Sequence, residues 1–282
     1  MILFKTTGPL QKQLEKLRTN GKRIGFVPTM GALHSGHLSL IECCKRRCDI
    51  AVCSIFVNPT QFNNKEDFEK YPVTIENDIF LLESNNTDIL FLPAVNEVYT
   101  TGMQQLQHFE LGYLENILEG KYRPGHFQGV CNVVYRLLNI VKPDVLFLGR
   151  KDYQQYLVLK KMMKEFFPDI KIEPVDIVRE ANGLAMSSRN MRLSEDARNK
   201  ATAIYQSLQL IQQNIYNKDI EALKAEATNN LLDNGFEKVD YIKICDAGTL
   251  LPVTSVSNDK KQLITLAAAF IENVRLIDNI LL

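Results

Sequence analysis

Residues 23–57, RIGFVPTMGALHSGHLSLIECCKRRCDIAVCSIFV, carry the pattern that decides the fold. Arg23 to Pro28 (RIGFVP) is a short apolar run followed by a Gly-containing turn, as a buried strand requires. Leu38, Ile41, Cys44 and Cys48 then recur at the spacing of an amphipathic helix. Ile50 to Val57 (IAVCSIFV) is almost wholly apolar and rich in β-branched residues, the composition of a strand covered on both faces of a parallel sheet. Strand, helix and strand in this order predict a βαβ unit, with His34-Ser35-Gly36-His37 in the turn that opens its helix.

The same alternation extends outward. It predicts a helix over Ile75–Glu83, a strand over Ile89–Leu92, a helix over Phe127–Val141 and a strand over Asp144–Leu148, with Tyr156, Leu159 and Met163 marking the helix after it. The expected class is α/β, a Rossmann-like parallel sheet. Right-handed crossovers gather the loops that follow the strands at one edge, where such folds bind ligands. After about residue 175 the texture changes. Glu173–Val178 reads as a strand, and Ser194 is placed to cap one long helix with the stripe Ala197, Ala201, Ile204, Leu208 and Ile211. A second helix over Ile220–Leu232, strands over Val239–Cys245 and Gln262–Phe270, and an apolar tail at Ile277–Leu282 follow. The expected organisation is a parallel α/β domain over 1–175 and a smaller C-terminal α+β domain over 176–282.

Composition narrows the function classes. Across 282 residues, 33 Lys+Arg balance 33 Asp+Glu, which argues against a nonspecific nucleic-acid binder. No apolar run approaches the roughly 18–20 residues of a membrane span, and the first residues lack the apolar core of a secretory signal. Six cysteines form no CxxC pair and have no His at ligand spacing, so reduced thiols in a cytoplasmic protein are expected rather than a zinc site.

Four clusters carry chemistry. His34-Ser35-Gly36-His37 begins a helix, where outward-pointing amides and two imidazoles can clamp a phosphate; a metal pair or chance spacing are the other readings. Asn58-Pro59-Thr60-Gln61-Phe62 follows the second strand at the same edge and can either read neutral polar groups or simply form a turn. Gly149-Arg150-Lys151-Asp152-Tyr153-Gln154-Gln155 follows strand DVLFL. Lys151 offers a charge for phosphate and Asp152 an acceptor for ribose hydroxyls, unless the segment is only a solvated helix start. Met186-Ser187-Ser188-Arg189-Asn190 is either a linker or a flexible, donor-rich loop able to hold polyphosphate.

An early HxGH and a late MSSR resemble the paired signatures of the class I aminoacyl-tRNA synthetase and nucleotidyltransferase superfamily. More narrowly, PTMGALHSGH, IFVNPTQFN, LEGKYRPGHFQGV, LGRKDYQQ and VREANGLAMSSRN, in this order, resemble the pantothenate synthetase (pantoate–β-alanine ligase) family. The resemblance implies that ATP and (R)-pantoate form pantoyl adenylate and pyrophosphate, after which β-alanine displaces AMP. It implies that Met30, Gly31, Ala32, Leu33, His34, Ser35, Gly36 and His37 contact ATP, with His37 and His34 catalytic. Gly149, Arg150, Lys151, Asp152, Val178, Met186, Ser187, Ser188 and Arg189 would complete the ATP site, with Lys151 catalytic on the phosphates. Gln61 would contact pantoate and β-alanine, and Gln155 pantoate; Arg123 in RPGH is a further candidate. Mg2+ is expected with ATP, with Asp78 a candidate ligand by position, and so is a homodimer. Arg150, Val73 in YPVT and the segment LPAVNEVYT depart from the family pattern. Two other readings compete: a nucleotidylyltransferase acting on a phosphorylated substrate, and a silent nucleotide-binding module. The Gln61 and Gln155 pair argues against the first, and the retained His and Lys residues argue against the second.

Overall fold

The computed structural model describes residues 1–62, 68–103, 106–255 and 262–282; Asn63, the last residue of IFVNPTQFN, lies outside them. Two compact units emerge. The first comprises Met1–Arg150 with Gln154–Asp176, and the second Lys151–Tyr153 with Ile177–Leu282.

In the first unit six parallel strands lie in the order β1 (Ile2–Phe4), β4 (Ile89–Phe91), β3 (Ile50–Ile55), β2 (Ile24–Thr29), β5 (Val145–Gly149) and β6 (Lys171–Val175). Strand β2 is flanked by β3 and β5, so the chain moves one way after β2 and returns on its other side. The turns leaving β2 and β5 therefore diverge at their carboxyl ends, the topological switch point at which such sheets bind ligands. Helices α1 (Thr7–Thr19), α2 (Ser35–Arg47), α3 (Ile75–Ser84), α4 (Val95–Val98), α5 (Leu118–Tyr122), α6 (His126–Val141) and α7 (Tyr153–Phe166) alternate with the strands.

The apolar strands are explained by burial on both faces. Phe26, Val52 and Leu146 join Leu10 and Leu14 of α1 and Val134 and Leu138 of α6 in one core. Val27, Ala51, Cys53, Val145 and Phe147 pack with Ile41 and Cys44 of α2 in another. Gly25 permits the close seat of α2, since a Cβ there would lie 2.3 Å from the Cys44 Sγ and 2.9 Å from Phe147. Strand β1 has no counterpart among the elements expected from sequence; its three residues gain their place by pairing Ile2 with Ile89 through Phe4 with Phe91 at the sheet edge.

The second unit folds helices onto an antiparallel sheet of β7 (Lys238–Asp246), β8 (Leu263–Ile271) and β9 (Val274–Leu281). Ser194 does cap, its Oγ accepting from the Ala197 amide at 3.2 Å. The expected single helix is instead two, α8 (Glu195–Lys200) and α9 (Ala203–Asn214). Around Thr202 the amide bonds shift to three-residue spacing, and the Thr202 hydroxyl donates to the Asn199 carbonyl at 2.8 Å. The apolar stripe nevertheless stays buried and packs with α10 (Ile220–Asp233) and Ile242, Ile244, Ala267 and Ala269 of the sheet. The apolar tail is the body of β9, joined to β8 through Glu272 and Asn273, both at positive φ (49° and 59°) as a two-residue hairpin of this hand requires.

Candidate functional site

Beyond Thr29 the chain must turn sharply to start α2, and Gly31 and Ala32 do so at φ 82° and 49°. This strained turn is held from α3. The buried Asp78 accepts the Ala32 amide on Oδ2 at 3.0 Å and the Leu33 amide on Oδ1 at 2.8 Å, and Oδ1 also accepts the Thr74 hydroxyl at 3.1 Å. Both oxygens thus serve the loop. The Asp78 side chain, a magnesium-ligand candidate by position, is here a clamp on the backbone that presents the histidines.

His34 is the N-cap of α2 and His37 the third helical residue. The His34 Nδ1 accepts the Gly36 amide at 3.2 Å, and the His37 Nδ1 accepts the His34 amide at 3.3 Å. The arrangement is a reciprocal capping box built from imidazoles, with ring centroids 4.1 Å apart. Because each Nδ1 lone pair receives an N–H, the neutral rings carry their proton on Nε2, which makes Nε2–H the donor nitrogen of each.

The second cluster splits into a scaffold residue and a candidate reader. Asn58 is fully buried; its Nδ2 donates to the Gln61 Oε1 at 3.1 Å and to the Gly129 carbonyl at 3.2 Å, and its Oδ1 accepts from the Tyr99 hydroxyl at 2.7 Å. Burial pushes the Tyr99 phenol up, against the hydrogen bonds it makes to Thr60 and Asn58, so it stays a donor. The Gln61 Nε2 reaches the Met30 Sδ at 2.9 Å, which joins the loop after β3 to the loop after β2. His126, in sequence only the end of RPGH, is buried, with Nδ1 2.9 Å from the Gln61 carbonyl and Nε2 3.1 Å from Arg123 Nη1. A Cβ on Gly129 would lie 2.2 Å from the Thr60 carbonyl oxygen, so α6 seats against this turn at backbone contact.

Gly149 ends β5 at the same edge. Arg150, the family departure, pairs with Asp176 at 2.7 Å. Gln154 is buried and binds the Glu119 amide and the Leu114 and Ile117 carbonyls, while Gln155 beside it is half-buried.

In the second unit, the Lys151 Nζ lies 3.7 Å from Asp152 Oδ1. Val178 and Met186 are brought together: the Met186 amide donates to the Val178 carbonyl at 2.9 Å across a hairpin bridged at Arg179 and Ala185. The Met186–Arg189 segment leads into a short 3-10 helix rather than forming a plain linker. Ser187 caps the 3-10 helix Ser188–Arg192 by accepting the Arg189 amide at 3.3 Å, and the buried Asn190 ties it to Glu180 and the Ala185 carbonyl. The predicted site residues are therefore divided, His34, His37, Gln61 and Gln155 in one unit and Lys151, Asp152, Val178 and Met186–Arg189 in the other.

All six cysteines are buried thiols. Desolvation pushes Cys53 and Cys131 up to about 12 and Cys245 to about 11. Among the described residues no group of three or more His, Cys, Asp or Glu is arranged to hold a metal ion.

A parallel sheet whose switch point carries an imidazole-capped helix of HxGH type, in a chain with a later MSSR turn, defines a Rossmann-like enzyme of the class I synthetase and nucleotidyltransferase kind. The family model for pantoate-beta-alanine ligase matches residues 2–281. A pantothenate synthetase of Thermotoga petrophila is 44% identical over 285 residues, covering 100% of both chains. Among solved structures, pantothenate synthetase from Thermus thermophilus superposes with a TM-score of 0.91 at 37% identity over 99% of each chain. The pantoate-beta-alanine ligase from Francisella tularensis, solved in complex with beta-gamma ATP and beta-alanine, gives 0.83 at 38% identity, covering 100% of this chain and 97% of that one. The chain belongs to the pantoate–β-alanine ligase family, and joining pantoate to β-alanine is its reaction.

Proposed function

We propose that the ligation runs through ATP and a pantoyl adenylate. The carboxylate of (R)-pantoate attacks the α-phosphate and releases pyrophosphate; the β-alanine amine then attacks the acyl carbon and expels AMP, giving pantothenate. Charge builds on the α-phosphate in the first step. Donors already fixed in place stabilise it better than they stabilise ATP, and the Nε2–H groups of His34 and His37 are such donors. The observation that carries this reading is the imidazole capping box, which fixes both rings at a helix N-terminus before any substrate arrives.

Residues Met30–His37 and Gly149–Arg150 would line the nucleotide, and Lys151, Asp152, Val178 and Met186–Arg189 would complete its site, with Lys151 and Ser187–Ser188 on the phosphates. Gln61, held by Asn58 and Met30, would read pantoate and β-alanine, and Gln155 pantoate. Residues 176–282 would act as the lid that keeps water from the adenylate. Magnesium would arrive on the nucleotide: Asp78 is committed to backbone amides, so the chain's described residues do not supply a cage, and a cation that retains water and phosphate ligands suits such a site. A cytoplasmic homodimer acting on small molecules alone is the expected working state. No described helix is long and apolar enough to cross a membrane.

The test supplies purified protein with ATP, magnesium and pantoate, with and without β-alanine. Pantoate-dependent pyrophosphate release, with AMP and pantothenate appearing only when β-alanine is added, is expected. ADP and inorganic phosphate as products would overturn the adenylate route.

A further inference from the structure

The last strand carries two adjacent buried polar residues, Asp278 and Asn279, between the apolar pairs Leu276-Ile277 and Ile280-Leu281. The Asp278 carboxylate receives Arg179 bidentately, Nη1 on Oδ2 at 2.6 Å and Nη2 on Oδ1 at 3.0 Å, and the Asn279 amide at 2.8 Å. Arg179 also donates to the carbonyls of Gly183 and Asn279, and its guanidinium lies 3.7 Å from the Tyr205 ring centroid. Asn279 in turn donates from Nδ2 to the Lys151 carbonyl at 2.8 Å. Burying an ion pair is a poor way to gain stability, since desolvation offsets most of the attraction. What the pair provides is fixed geometry. Arg179 sits at the base of the hairpin that leads into Met186–Arg189, and Asn279 grips the backbone of Lys151, so one dipeptide of β9 is bonded both to the Lys151 backbone and to the base of the hairpin that precedes the serine turn.

We infer that Asp278 and Asn279 are positioning residues for adenylate formation: β9 holds the Lys151 backbone and the hairpin base at Arg179 in one fixed relation, so that the lysine meets the charge developing on the α-phosphate. The inference rests on the nucleotide role proposed for Lys151. Removing the Asn279 donor lets the lysine drift, and displacement of a reacting group by about 1 Å costs up to about a hundredfold.

The test is a cycle of Asn279→Asp, Lys151→Ala and the double variant. Each is measured by single-turnover pyrophosphate release at saturating ATP and pantoate, by KM for β-alanine and by thermal melting. Asn279→Ala is carried in parallel, should the aspartate not fold. The expected result is a roughly tenfold to hundredfold slower release in the Asn279 variants, β-alanine KM within about twofold of wild type, and no further slowing in the double variant beyond Lys151→Ala. Unchanged release in a folded Asn279 variant, or fully multiplicative losses in the double variant, would overturn the positioning role. Wild-type protein without pantoate-dependent release, or an undiminished Lys151→Ala, would instead sink the nucleotide reading on which it stands.

Discussion

Replacing Asp78 by Asn tests how the histidine loop is held. In the structure each carboxylate oxygen takes one loop amide, Ala32 at 3.0 Å and Leu33 at 2.8 Å, in a buried setting. Bonds to a charged acceptor contribute about 1.5–3 kcal/mol each, and an orphaned buried donor costs about 1–3 kcal/mol. Asn has nearly the same shape but only one oxygen. One amide keeps a weaker, neutral acceptor, while the other faces an NH2 group and loses its bond. About 2–4 kcal/mol is thereby withdrawn from a turn that already holds Ala32 at φ 49°. If the loss falls on the loop alone, the equilibrium constant for the competent arrangement falls about 30- to 1,000-fold, and kcat/KM drops by up to that factor. The assay is steady-state pantothenate formation with a melting curve for each variant. A clamp is not rescued by more cation, so tenfold higher magnesium leaves the Asp78→Asn rate low. Activity within threefold of wild type, or recovery with magnesium, would refute the clamp and return Asp78 to the metal-ligand role.

Other perturbations read other parts of the account. His37→Ala removes a fixed donor and is expected to lower kcat about a hundredfold or more in a folded protein, as measured by initial rates. Gly129→Ala places a methyl 2.2 Å from the Thr60 carbonyl; overpacking of this kind costs about 1–3 kcal/mol, so a lower melting temperature with raised pantoate KM is expected. Cys53 and Cys131, pushed up to about 12 by desolvation, are expected to resist alkylation at pH 8 in the native protein while the unfolded chain reacts at all six thiols, a difference that mass spectrometry resolves. Burial would raise the Asp240 carboxyl, but hydrogen bonds from Lys238 and Arg275 outweigh it and hold the group below its ordinary value. Its stabilisation is therefore complete above the unfolded value of about 4 and is lost as pH falls further, so Asp240→Asn flattens the fall in melting temperature below that pH.

The sheet is legible because strands covered on both faces leave a simple trace: RIGFVP, IAVCSIFV and DVLFL have almost no polar residue to spare. The HxGH loop is legible because its position follows from those strands. What stays hidden depends on contacts between distant segments. Asp78 reads at most as a candidate metal ligand in the first turn of a helix, and the loop amides it holds lie 45 and 46 residues upstream. Asn58 resembles a ligand reader beside Gln61, yet its polar groups are used up within the protein. Strand β1 is too short to show a period, and Asp278 and Asn279 sit in a run whose apolar neighbours dominate any window average. The break near Thr202 leaves the helical stripe unchanged, since the apolar positions continue in phase through it.

In the proposed reaction the adenylyl group of ATP passes to the pantoate carboxylate as pyrophosphate leaves, and oxygen labelling follows that transfer. With both carboxylate oxygens of pantoate as oxygen-18, attack on the α-phosphate and later expulsion of AMP leave one label in AMP and one in the pantothenate amide carbonyl. Singly labelled AMP in step with pantothenate is expected; unlabelled AMP from an active enzyme would contradict the adenylate route.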